Sequence, residues 1–128
     1  MRPPPTTPPR AGTRRDRGQV AMEYLGFLPL LLLVAMAAIQ LGLAAYAVNQ
    51  AGTAARAGAR TEASYDAHGT GESAARDAVS DWLKKDQGFD YRESGGSDVK
   101  ATVRIKVPSI VPGLDDWYAV RSATMPRE

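Results

Sequence analysis

Between Glu23 and Arg56 the chain carries no charge, and inside that stretch Leu25 to Val48 is almost wholly apolar. The run LGFLPLLLLVAMAAIQLGLAAYAV holds 24 residues, of which 12 are Leu, Ile, Val or Phe. At about 1.5 Å of rise per residue a helix of this length covers roughly 36 Å, enough to cross a hydrocarbon core of about 30 Å. The twelve large residues favour insertion by roughly 4 to 7 kcal/mol before the opposing contributions of Pro29, Gln40 and the glycines. The pattern predicts one membrane-spanning helix over residues 19–48. Pro29 removes an N–H and crowds the carbonyl of Leu25, so a kink is expected there. Gln40 is either a tolerated polar group or one half of an interhelical hydrogen bond.

Beyond Asn49 the helical pattern continues to about residue 67, outside the membrane. Ala51, Ala55, Ala59 and Ala63 recur every fourth position with Ala54 and Gly58 alongside. With Gly42 further up, these small residues predict a face on which another helix can approach closely. The plainer alternative is an Ala-rich helix of high intrinsic propensity. His68-Gly69 breaks the pattern, Thr70 can cap a second helix over 72–85, and Gly88 can stop it. That helix turns Ala75, Ala78, Val79, Trp82 and Leu83 to one side. The polar string YRESGGSD, 91–98, reads as a loop.

Val99, Ala101, Val103, Ile105 and Val107 then alternate with Lys100, Thr102, Arg104 and Lys106, which predicts a strand with one wet face. A Pro- and Gly-containing link leads to a returning strand over 117–124. Two strands alone are marginal, so helix 72–85 is expected to cover them, with Val79, Trp82, Leu83, Val103, Ile105 and Trp117 as the core. The fold class is α+β: a long N-terminal transmembrane helix continuing outside, then one small helix packed on an antiparallel β-hairpin. Four segments follow, namely a structureless basic leader at 1–18, the span at 19–48, its continuation at 49–67 and a small exported domain at 68–128.

Charge sets the direction. The net +2 divides into +4 through Gly18, where five Arg face only Asp16, and −2 over the remainder. Excess Arg marks the cytoplasmic side, so the predicted topology is single-pass with the N-terminus cytoplasmic and the C-terminus extracytoplasmic. The exported part has no basic surplus to attract nucleic acid. There is no Cys, hence no disulfide and no thiolate chemistry. His68 is the only histidine; Asp66, His68 and Glu72, or Asp115 with Asp116, lack the spacing of a metal site. No catalytic motif occurs, and neither a cofactor nor a small-molecule substrate is expected.

The string GQVAMEY, residues 18–24, between a basic leader and a spanning segment, resembles a class III, prepilin-type signal. With MEYLGFLPLLLL, IQLG at 39–42, AARAGAR at 54–60 and the closing AVRSATMPRE, the chain is similar to the TadE-like family of Tad (Flp) pilus assembly proteins. Family members often carry an acid where Gln40 stands and a glutamate where Ala57 stands. The resemblance implies cleavage after Gly18 by a prepilin peptidase, with Gln19 as the new N-terminus and Glu23-Tyr24 at the fifth and sixth mature positions. It also implies a minor pilin or pseudopilin role in a pilus or secretion apparatus. The partners would be membrane lipid, the peptidase and other pilin, pseudopilin or Tad apparatus subunits. The competing reading is an uncleaved single-pass anchor whose exported domain binds a cell-surface partner.

Overall fold

The computed structural model describes residues 1–7, 14–64, 66, 68–85 and 88–128, with 14–17 described by their backbone. In order, the elements are α1 (Arg14–Ala63), α2 (Gly71–Asp77), one 3-10 turn (Asp81–Leu83), β1 (Phe89–Gly95), β2 (Asp98–Lys106) and β3 (Tyr118–Pro126). The chain divides into two units, Met1–Ala35 and Met36–Glu128. The fold is α+β, a long apolar helix followed by a small helix and an antiparallel sheet.

In the first unit α1 begins at Arg14, inside the stretch expected to lack structure. Every side chain from Gly18 to Ala35 is exposed, Pro29 included. A helix that buries nothing of this apolar surface within its own chain needs an apolar environment from elsewhere.

In the second unit the sheet order is β1-β2-β3, both pairs antiparallel. The alternation of β2 sets its faces: Val99, Ala101, Val103 and Ile105 are buried, and Val107 beyond the strand end joins them. Pairing of Ile105 with Ala119 fixes β3 with Ala119 inward and Val120 outward. Strand β1 occupies residues expected to be a loop. Only Phe89 and Tyr91 of its seven residues are apolar, and Arg92, Glu93 and Ser94 lie exposed along its outer half. An edge strand needs no more apolar residues than that, because one side of its ladder and one face stay wet. Gly95, at φ +153°, allows the turn into β2, since a Cβ there would run into the Asp98 carbonyl.

The sheet is covered chiefly by α1 and only in part by the second helix. Ala44, Ala47, Ala51, Ala54 and Ala55 form one core with Phe89, Val103, Ile105, Val107 and Ala119, joined by Ala75, Val79 and Leu83. The small-residue face expected to meet another helix therefore meets the chain's own sheet. The second helix is also shorter than expected. Thr70 caps it, its hydroxyl accepting from the Ser73 N–H at 3.2 Å, but it ends at Asp77. Ser80 is extended, and the 3-10 turn that follows buries Leu83 while facing Trp82 outward.

The two tryptophans expected in the core are outside it. Trp82 is 45% exposed and stacks on Tyr46, with ring centroids 5.6 Å apart. Trp117 is 41% exposed. The interior is filled instead by the Ala side chains of α1 against Val and Ile of the sheet, and Trp82 finds its partner in Tyr46 at the edge.

Candidate functional site

The segment expected to carry processing, Gly18, Gln19, Glu23 and Tyr24, lies on α1 with all four residues exposed. A Cβ added at Gly18 meets nothing within 4 Å. The helix runs through Gly18, so a peptidase reaching the Gly18–Gln19 bond would have to open the first turns, which are where helices fray. From Val20 to Leu41 most large apolar side chains on α1 are exposed, among them Phe27, Leu30 to Val34, and Ile39.

Gln40 marks the change from exposed to docked helix. It is 3% exposed, and both ends of its amide are used. Its Nε2 donates to the Pro108 carbonyl at 3.3 Å, and its Oε1 accepts from the Ile110 N–H at 3.0 Å. The partner is the link between β2 and β3, a third solution beside the two expected for this residue. A carboxylate in its place would accept from Ile110 but could not donate to Pro108. Gly42, next along, faces open space.

From Ala44 onward the expected packing residues divide by partner. Ala51, Ala54, Ala55 and Ala59 are fully buried. Gly58 faces Tyr91: a Cβ on Gly58 would come within 2.7 Å of the Tyr91 ring and 3.0 Å of the Gly71 carbonyl. Glu62, one turn further, accepts from the Gly71 N–H and so ties α1 to the start of α2. Among the described residues the buried Tyr91 hydroxyl has no hydrogen-bond partner. Burial, and then the negative charges of Glu62, Glu93 and Glu72, push its pKa up to about 12.

Of the expected core residues, Val79, Leu83, Val103 and Ile105 are brought together beneath α1. Asp66, His68, Glu72, Asp115 and Asp116 are exposed, and no group of three or more His, Asp or Glu gathers among the described residues. The exposed Asp81 carboxyl is held below its usual range by its hydrogen bond and ion pair with Lys84, at 2.8 Å.

Several contacts were not legible beforehand. The Tyr46 hydroxyl pairs with Ser80 Oγ at 2.8 Å and accepts from Gln50 Nε2 at 2.9 Å. Its position inside the long apolar run hid it as one more membrane residue. The Glu62–Gly71 tie and the close approach of Gly58 and Gly71 to Tyr91 carry no sequence signal beyond the two glycines.

Residues 18–60 match the model of a family described as TadE-like protein. The match begins at Gly18 and ends within α1, so the sheet and the AVRSATMPRE segment lie outside it. No curated protein and no solved structure matches the chain.

Proposed function

We propose that this chain, TadE-like along its helix, is a membrane-anchored minor pilin or pseudopilin acting in assembly of a Tad pilus or a related secretion apparatus. The observation that carries the reading is a coincidence of boundaries. The family match starts at Gly18, the helix becomes an exposed apolar rod from Val20, and the basic leader lies just before both. The anchor is single-pass with its N-terminus in the cytoplasm, because the five leader Arg outweigh the early charge beyond the apolar span. The chain's work is to be held, cut and packed; its partners are membrane lipid, a prepilin peptidase and other subunits of the apparatus.

The test is the N-terminus of the protein recovered from membranes of its native host, read by intact mass. A chain beginning at Gln19 is expected, and Gly18→Val should leave the heavier uncut product. Because nothing packs on Gly18, a side chain there interferes with the peptidase and not with the fold. A wild-type mass that retains the leader would favour the uncleaved anchor instead.

A further inference from the structure

Charge is divided unevenly across the sheet. On the β3 side Arg56 and Arg121 flank Gly52: a Cβ on that glycine would lie 3.7 Å from Arg56 Nη1 and 3.9 Å from Arg121 Cγ. Arg60 follows Arg56 by one helical turn, where like charges repel. All three are exposed, and among the described residues none has a carboxylate within ion-pair distance. The opposite edge is acidic. Glu62, Glu72 and Glu93 stand close enough to Tyr91 of β1 for their charges to act on its hydroxyl. Exposed Asp77 ends α2, which packs against β1, and Asp90 is exposed on β1 itself. Against these carboxylates stand Arg76, Arg92 and Arg127, paired with Glu72, Asp90 and Glu93. The β1 side is left negative and the β3 side positive.

The β3 edge is also open. The Val107 N–H donates to the Trp117 carbonyl at 2.9 Å, so alternation along the ladder turns the N–H and C=O groups of Val120, Ser122 and Thr124 away from β2. From Tyr118 to Met125 the strand carries no Pro and one charge, Arg121. Edge strands that stay apart from other chains are commonly shielded by charge or Pro. Strand β1 has Asp90, Arg92 and Glu93 among its seven residues and is shielded in this way; β3 is not.

We infer that the β3 side is a docking surface for a second copy of this chain, which it meets at that copy's β1 and α2 side. The sheet order β1-β2-β3 puts the two sides at opposite edges. A copy set beside the first in the same orientation therefore brings its acids to Arg56, Arg60 and Arg121. A long polyanion is the poorer occupant, because residues 36–128 carry 11 Lys and Arg against 12 Asp and Glu and offer it no net attraction. The contact is heterologous, leaves each copy one free side and so can repeat. It goes beyond the pilin reading and holds whether or not the leader is cut.

The full chain in nonionic detergent micelles, labelled with donor or acceptor dye at Gly96→Cys, tests this. There is no other Cys, and nothing lies within 4 Å of Gly96 to resist the change. Energy transfer should rise with protein concentration and fall by at least about half as salt goes from roughly 0.05 to 1 M, where the screening length shrinks to about 3 Å. Transfer indifferent to salt assigns association to the apolar run of α1 and overturns the inference, as does no transfer at all. Arg56→Glu with Arg121→Glu, and separately Asp77→Lys with Glu93→Lys, should each lose most of the transfer when alone. Mixed in equal amounts, the two altered chains should recover it, because the acids of the first meet the Arg of the second and the new Lys meet the new Glu. Recovery separates lost complementarity from a damaged fold. Loss without recovery on mixing overturns the contact, and so does full transfer in either altered chain alone. Transfer that appears only once heparin is added would assign the Arg side to a polyanion and overturn the second copy.

Discussion

At the scale of single residues, Gln40 shows how one polar side chain can define a boundary. Its amide donates to Pro108 and accepts from Ile110 at once, which neither an apolar side chain nor a carboxylate can do. Gln40→Leu leaves a carbonyl and an N–H without partners, each lost bond costing about 1–3 kcal/mol where no water replaces it. Denaturant unfolding of the full chain in bilayers, followed by Trp emission, should register that loss, and Gln40→Glu should be as damaging at neutral pH. Tyr91 gives a prediction of the opposite kind. Its folded pKa is raised to about 12 from 10.0, so the folded state holds the phenolic proton more tightly than the unfolded one. Its contribution is fully present below pH 10 and fades as the pH rises from 10 towards about 12. Tyr91→Phe should flatten the fall in melting temperature over that window. An unchanged slope would show that the hydroxyl is not enclosed as described.

At the scale of elements, legibility followed periodicity. The strict alternation of Val99 to Val107 located β2, and a long uncharged run located α1, because both patterns state which face is wet. The small-residue stripe was equally visible, but its partner was not: Ala at a contact permits close approach without saying to what. Strand β1 was hidden because an edge strand with two apolar residues has almost no alternation to read. The early stop of α2 at Asp77 is a tertiary effect, in which Tyr46 draws Trp82 and Ser80 out of helical register. A test follows for the stripe. Ala51→Leu adds three carbons to a fully buried position against the sheet and should destabilise the exported fold by about 1–3 kcal/mol. The same change at Ala45, which is exposed, should be nearly silent in the same unfolding assay.

At the scale of the molecule, α1 has two halves with different surfaces left to offer. Beyond Gln40 its small-residue face is occupied by the chain's own sheet, so it cannot also serve a neighbour. The run from Val20 to Ile39 and the carboxylate of Glu23 are exposed, and under the proposed function they are the surface offered to other subunits. After cleavage Gln19 would carry a free ammonium one helical turn from Glu23, and a carboxylate near hydrocarbon is costly unless it finds such a partner. In an assembly that partner can belong to the next subunit. The chain has no cysteine, so single replacements report cleanly. Leu31→Cys should crosslink to neighbouring pilin subunits in membranes that carry the assembled apparatus, and Ala51→Cys should not. Adding Glu23→Gln to the Leu31→Cys chain should leave cleavage and insertion intact, with the mature mass unchanged in its N-terminus, yet remove most of the crosslink. Full crosslinking with Gln at position 23 would mean that the apolar run alone holds the subunits together and that the charge pair plays no part.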